Sequence, residues 1–543
     1  MTSQATHDQQ TDPDTPDVDV IVVGAGMGGI YAVHRLVQSG LTVQGIEGAP
    51  SVGGVWHHNS YPGARVDVEG YYYSYFFDPD LYREWKWENR YPTQVELEAY
   101  LNAVADKHDV NRHFAFNNWV TEAQWVEHGA YYRVTTDAGL TVTARFLVMA
   151  TGQLSKPRTP PFEGLEDFEG EWVQTANWPK RPVQLEGRRI AVIGTGSSGV
   201  QTVVETAKHA DHLYVFQRTP NYSVPAHNGP ISDEKHAHYA ERVHDTWDSI
   251  TGSFGGGGFP VGTVKASEMT PEEQQAKLEE HWAWGGQSMV GVFPDQGTDP
   301  QTNELVSEFV RKKVREIVRD PELAAKLEPK DYPIGTRRVA VDVGYYEVFN
   351  QDNVTLVDLK TEPIERITRT GIRTHSTEYE IDLIVFAVGF EAFLGSLDRA
   401  GIRNAEGRRP GDVWQRGPKT YLGLMTRGFP NMFILTGPGS PSVLANMFAG
   451  NVQHGDFVTD LLTYMNDHGY RRIEPTVEAQ TEWSNHTQEV AKPLLRYGAD
   501  NYMVHVNQDD QSRFFIPYVG GFNRYIQECQ RVASNGYEGF EFK

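Results

Sequence analysis

At 543 residues the chain is too long for one hydrophobic core, and two or three domains are expected. A formal charge of −23 disfavours nucleic acid and anionic membranes as partners, and no apolar run reaches the roughly 18 residues that a membrane span needs. The single cysteine, Cys529, excludes an intramolecular disulfide and a Cys-x-x-Cys relay. Residues 1–17 hold four Asp, no Lys or Arg and no apolar core, which reads as a disordered tail without a signal peptide and points to the cytoplasm.

Residues 18–150 open on Val18-Asp-Val-Ile-Val-Val23, a buried-strand pattern that runs into Gly24-Ala-Gly26-Met27-Gly-Gly29. Ile30, Val33, Leu36 and Val37 then repeat at helical spacing. In such a strand–turn–helix, two glycines let backbone approach a pyrophosphate and a third lets the helix pack on the strand. The helix N-terminus faces the negative charge. The next strand, Leu41–Ile46, runs into Glu47, 23 residues beyond Gly24. A carboxylate there accepts a hydrogen bond from a ribose hydroxyl and repels a 2′-phosphate. This first site is therefore expected to hold FAD. Downstream, the glycines, Trp56 and the Tyr61-Pro62-Gly63 turn of residues 53–67 could lie against a flat ring system. From composition alone a glycine–proline loop with a packed Trp is as good a reading.

Arg145–Gly152 ends this stretch as an apolar strand with a small-residue turn, and Pro157, Pro160 and Pro161 stiffen the connector that follows. Residues 151–220 carry a second fingerprint, Arg189-Ile-Ala-Val-Ile-Gly194-Thr195-Gly196-Ser197-Ser198-Gly199, with Val200, Val203, Val204 and Ala207 at helical spacing. Its strand His212–Gln217 runs into Arg218-Thr219, 24 residues beyond Gly194. A guanidinium and a hydroxyl suit a phosphate on the ribose, so NADPH is expected. Residues 221–334 lose the alternating pattern and read as a helical insertion, with Val306, Val310, Val314 and Ile317 facing one way. Gly255–Gly258 within it is expected to be a mobile loop. Residues 335–389, ending in the apolar strand near Ile381–Phe390, resume the NADP-binding domain. Residues 390–543, rich in Tyr, Phe and Trp, are expected to complete the FAD-binding domain and wall a substrate cavity. The fold class is α/β, with two Rossmann-like dinucleotide-binding domains and a helical insertion. No histidine has partners at metal-ligand spacing, His57-His58 read as loop residues, and no metal is expected.

The two fingerprints together with Gly-Gly-x-Trp-x4-Tyr-Pro-Gly-x3-Asp over residues 53–67 resemble the type I Baeyer–Villiger monooxygenases. The likeness extends from about residue 18 to the C-terminus through Ala150-Thr-Gly152, Phe216–Pro220, Gly335-Thr-Arg337-Arg338, Gly423, Gly437–Pro441 and Tyr518–Gly521. It implies FAD, NADPH and O2 as co-reactants and a small ketone as substrate, with no protein partner. Oxygen insertion through a flavin C4a-peroxide and a tetrahedral peroxy intermediate would give an ester or lactone. Arg338 stands in the catalytic-arginine position and Asp67 in that of its orienting partner. Gly54, Val55, Trp56, Asp67, Tyr73 and Met447 match positions near FAD. Arg65, Gln201, Arg337 and Arg338 join Thr195–Gly199, Arg218 and Thr219 on NADP. Gln153, Leu154, Ser442, Val443 and Leu444 would line the substrate cavity, in a loop version that hints at linear, aryl or bulkier ketones.

Two departures stand out. The family's Phe-x-Gly-x3-His-x3-Trp-Pro signature is met by Phe168, Gly170, Trp178 and Pro179, but Gln174 replaces its histidine. Gln can exchange hydrogen bonds but carries no proton-dependent charge, so coupling of NADPH binding to domain movement is in question. The C-terminal loop, Tyr502 to Asp510, is more polar than the family's and carries Asp509 and Asp510 in place of a lysine turn. Oxygenation of nitrogen or sulfur, an uncoupled NADPH oxidase or dithiol reductase, and a non-catalytic cofactor-binding protein remain as alternatives.

Overall fold

The computed structural model describes residues 15–507 and 509–543. The disorder expected of residues 1–14 lies outside the described residues. Asp17, expected at the end of the tail, is already tied down: its amide donates to Thr143 Oγ1 at 3.0 Å and its carboxylate accepts from the Thr143 amide at 2.8 Å.

Two parallel-cored sheets organise the chain. The first contains β1 (Val18–Val23), β2 (Val43–Ile46), β3 (Phe114–Ala115), β4 (Val120–Val126), β5 (Tyr131–Thr136) and β6 (Thr141–Met149). Two late strands, Ile402–Arg403 beside β4 and Met432–Ile434 beside β6, return to it. β6 is long enough to serve both arrangements. Its first half pairs antiparallel with β5, and its second half lies parallel to β1 and Met432–Ile434. Val20, Ile21 and Val22 of β1 are fully buried on both faces, as a central parallel strand requires.

Between β6 and those returns the chain builds a second sheet from β7 (Glu171–Gln174), β8 (Arg189–Ile193), β9 (His212–Gln217), β10 (Val354–Asp358) and β11 (Leu383–Phe386). All neighbours are parallel, in the order β10-β9-β8-β11-β7. Each fingerprint thus sits at the C-terminal end of a central strand, where open α/β sheets bind ligands.

Helices follow β9, as the loss of alternation predicts. Pro271–Trp284 begins with a Thr270/Glu273 capping box and Pro300–Ile317 with an Asp299 cap, each with Pro in its first turn. Val306, Val310 and Val314 bury one face of the latter. The glycine run expected to be mobile is instead docked. Asn446 donates its amide to Gly255 O at 2.9 Å and its side chain to Gly256 O at 3.1 Å, and Gly258 lies against the Tyr72 ring. Among the described residues no helix is long and apolar enough to cross a membrane, and no group of three His, Cys, Asp or Glu could hold a metal ion.

Candidate active site between the two nucleotide cradles

In the first cradle, Gly24 adopts φ +104°, and a Cβ on Gly29 would come within 1.8 Å of Gly24 O. Turn and helix touch only because both are glycine. The helix Met27–Gln38 begins at Gly26 without any side-chain cap, so its first amides remain available to a pyrophosphate. Glu47 is 6% exposed. Its two oxygens accept from the amides of Ala25 at 2.6 Å and Ala49 at 2.7 Å. Burial pushes its carboxyl above the ordinary value, against the pull of those amides. Gly54, at φ +56°, meets the turn from the other side, where a Cβ would lie 2.7 Å from Gly26 Cα. It starts the short helix Val55–His58, so His57 and His58 are helical and not loop residues. His57 is fixed by a 2.7 Å contact to Glu98. Trp56 Nε1 is buried with no hydrogen-bond partner among the described residues, and its ring stands edge-on to Tyr73 at 6.0 Å. Tyr73 packs on Phe448, the neighbour of Met447 at the start of the helix Met447–His468. An open-capped helix, a glycine cradle and an unpaired indole N–H fit a flavin dinucleotide.

The second cradle repeats the backbone but not the surroundings. Gly194 has φ +108°, and a Cβ on Gly199 would come within 2.0 Å of Gly194 O. The helix Ser197–Thr206 is likewise uncapped, whereas nothing lies within 4 Å of a Cβ on Gly196. Thr195 Oγ1 donates to Thr219 O at 3.0 Å, holding the selector loop to the turn. Arg218 is exposed. Arg337 stacks on Tyr332 at 4.5 Å and donates to Asp500 O at 3.0 Å.

The segment 53–67 joins the two. Tyr61 OH donates to Gln201 Oε1 at 2.8 Å, Gln201 Nε2 donates to Arg65 O at 3.1 Å, and a Cβ on Gly63 would strike Gln201 O at 2.6 Å. The Tyr-Pro-Gly turn therefore lies directly on the second cradle's helix. The Arg65 Nε is buried without a partner among the described residues. The signature stretch meets the same segment: the Trp178 amide donates to His58 O at 3.2 Å, and Lys180 donates to His57 O. Gly170 is needed beside the Phe168 ring and Asp382 O, while Gln174 Nε2 donates to Arg158 O at 2.9 Å.

The segment ends in the clearest electrostatic feature of the cleft. Arg338 Nε donates to Asp67 Oδ2 at 2.6 Å and Nη2 to Oδ1 at 2.8 Å, a bidentate pair. Arg338 Nη1 donates to Val443 O at 3.0 Å. Burial works against both charges, yet each partner stabilises the other. Asp67 is held below the ordinary carboxyl value, and the guanidinium is held above its own. Gln287 Nε2 bridges Asp67 Oδ2 at 3.1 Å and Val339 O at 3.0 Å. The sequence reading missed Gln287, because 220 residues separate it from Asp67 and it belongs to no motif.

Val443 and Leu444 pack with Tyr497, Tyr502 and Val504 around Met503 and Phe515. Ser442 takes φ +46°, and its buried hydroxyl has no partner among the described residues. Gln153 donates to Thr436 O at 2.7 Å and leaves Oε1 buried and unpaired among the described residues. Leu154, next to it, is partly buried. The polar C-terminal stretch forms a hairpin, Val504–Val506 against Arg513–Phe515.

A family profile described as pyridine nucleotide-disulphide oxidoreductase matches residues 18–244. The disulphide chemistry in that description has no thiol pair to run on, since Cys529 is alone and burial pushes its thiol up to about 12. A Baeyer–Villiger monooxygenase of Pseudooceanicola batsensis is 38% identical over 525 residues, spanning 96% of this chain and 95% of its own. A phenazine N-monooxygenase of Lysobacter antibioticus is also 38% identical, over 533 residues, 97% of this chain and 98% of its own. A solved steroid monooxygenase bound to NADP superposes with a TM-score of 0.93 at 45% identity, covering 97% of this chain and 99% of that one. The chain belongs to the Baeyer–Villiger monooxygenases, FAD- and NADP-dependent oxidoreductases that insert one oxygen atom of O2 beside a ketone carbonyl.

Proposed function

We propose that Arg338, oriented by Asp67, is the fixed positive charge of a ketone-oxygenating site built where the two cradles meet. The observation that carries this is the bidentate pair at the end of the segment that touches both cradles. When bound, FAD supplies the activation of O2 and NADPH the hydride. Arg338 stabilises negative charge developing on the substrate's carbonyl oxygen, and its guanidinium gives up no proton in doing so. Asp67 and Gln287 hold the guanidinium plane, while Val443 O fixes its third edge. Gly24, Gly26, Met27, Gly29, Glu47, Gly54, Val55, Trp56, Tyr73 and Met447 form the FAD site. Thr195–Gly199, Gln201, Arg218, Thr219, Arg65 and Arg337 take NADP. Gln153, Leu154, Ser442, Val443 and Leu444 line the ketone's side and exclude water.

The units 18–150 with 390–543 and 151–220 with 335–389 act as the FAD- and NADP-binding domains, with 221–334 inserted. The enzyme works in the cytoplasm on a small ketone and needs no protein partner; a lone, buried free thiol suits a reducing compartment. A second reading, oxygenation of a heterocyclic nitrogen, is favoured by the N-oxygenating relative. Product analysis with a matched ketone and N-heterocycle separates the two. In Arg338→Ala, NADPH should still bleach the flavin while ester yield falls at least about 100-fold; retained ester would reject the assigned role.

A further inference from the structure

The turn Ser442–Leu444, assigned above to the ketone's side, is held from two directions. From one, Arg338 Nη1 donates to Val443 O at 3.0 Å. From the other comes Asn446, three residues further on and 4% exposed. Its backbone amide donates to Gly255 O at 2.9 Å, and its Nδ2 donates to Tyr72 O at 2.5 Å and to Gly256 O at 3.1 Å. Its Oδ1 accepts from the Ala449 amide at 3.2 Å and so caps the helix that begins at Met447. A cap needs only that oxygen, and Ser or Asp supplies it as well. The two carbonyls at Nδ2 belong to other segments, so the carboxamide serves the joint and not the helix. Between the two anchors, the Leu444 amide donates to Pro441 O and the Ala445 amide to Ser442 O, each at 3.1 Å. Ser442 holds its positive φ there, and a strained residue persists only while its surroundings fix it. The glycine run is fastened on its far side too, where the Phe522 amide donates to Phe254 O at 2.7 Å and the Gly256 amide to Ser253 Oγ at 2.8 Å. Gly256 has φ +67°, and a Cβ there would lie 3.0 Å from both Asn446 Cβ and Ile250 Cγ2.

We propose that Asn446 is a positioning residue which, by clasping the Gly255–Gly256 turn of the insertion, fixes Ser442–Leu444 against Arg338 and sets the size of ketone the site accepts. The insertion thereby acts on the reaction without touching substrate. While the joint holds, Val443 and Leu444 stay against the guanidinium and leave a bulky substituent less room. When it loosens, that wall backs away, whereas Arg338 keeps Asp67, and Asp67 keeps Gln287. The inference rests on the reading of Ser442–Leu444 as the ketone's wall.

The test is steady-state kinetics of the FAD-loaded enzyme with 2-butanone and 4-phenyl-2-butanone, which share a methyl-ketone centre and differ in remote bulk. Asn446→Ser keeps a hydroxyl for the cap and loses both side-chain donors. In that variant kcat/KM for the larger ketone over the smaller should rise at least about fivefold, with the change in KM and not in kcat. Gly256→Ala presses on the same joint from the other side and should move the ratio the same way. The double variant should move it no further than the stronger single, since both act on one contact. FAD content and thermal unfolding check that each variant is folded, and either single carries the test if the other is not. A ratio unchanged in the folded singles, a shift confined to kcat, or effects that multiply in the double variant overturns the role of Asn446. Leu444→Ala tells the two possible failures apart. A ratio that moves there but not in the joint variants sinks this inference alone; one that moves in none of them sinks the reading of Ser442–Leu444 as the ketone's wall, and the inference with it.

Discussion

The two nucleotide cradles share a backbone and differ in what surrounds it. In both, a glycine at φ above +100° ends the strand and a second glycine lets the helix touch it. At the first, the selector Glu47 is buried and engaged by two backbone amides, and Gly54 presses on Gly26 from outside. At the second, the selector Arg218 is exposed, and the space around Gly196 is open. A polar group pre-set by neighbouring amides costs little reorganisation when its ligand arrives, which favours tight and lasting occupancy. A long, solvated side chain must be ordered at each encounter, which suits a ligand that comes and goes. The difference separates a resident cofactor from an exchanging one.

That contrast can be broken at either end. The largest effect is expected from Gly54→Ala, where a side chain is forced into a positive-φ position against Gly26 Cα. FAD affinity should fall at least about 100-fold with NADP affinity little changed; a fully flavinated variant would show that Gly54 does not shape that cradle. Arg218→Ala should raise the KM for NADPH about 10- to 100-fold and that for NADH less than about threefold. A uniform rise for both would mean the arginine does not read the 2′-phosphate. Acidification sharpens the comparison through its carboxylates. Glu47 has a raised folded value, so it takes up its proton above the ordinary glutamate range. Asp67 has a lowered one, so what it contributes to stability persists above the ordinary aspartate value and is lost only as pH falls through the lower folded value. Free-flavin fluorescence should therefore rise before far-ultraviolet circular dichroism changes; the reverse order would contradict the assignment of Glu47. The smallest effect is expected for Gln174→His. Since Gln174 already reaches Arg158 O, the ratio of ester formed to NADPH consumed should stay equal or improve within about twofold. A marked fall would identify Gln174 as an adaptation of this enzyme.

What the sequence made legible was whatever chemistry is written locally. Strand, turn, helix and selector lie within about 25 residues of one another, so both cradles could be read directly. The Arg338–Asp67 pair, 271 residues apart, was reachable only through the likeness of two motifs to a known family. Gln287 had no such handle, since its contact with Asp67 is made by tertiary packing of a segment with no motif of its own. Two errors were local. His57-His58 read as loop because the residue that starts their helix, Gly54, does so from a positive φ that composition does not reveal. The glycine run 255–258 read as mobile because its docking partner, Asn446, lies some 190 residues away.

The contact between Gly63 and Gln201 carries a practical consequence for building chimaeras of this enzyme with its relatives. Any crossover between residue 67 and residue 197 would bring the Tyr61–Gly63 turn from one parent and the facing helix from the other. The recipient must then offer a clash-free match at that seam: no side chain at 63 and a Gln201-like amide able to accept from Tyr61 and donate to Arg65 O. Parents that differ there are expected to yield hybrids that bind each nucleotide separately yet fail to pass electrons between them.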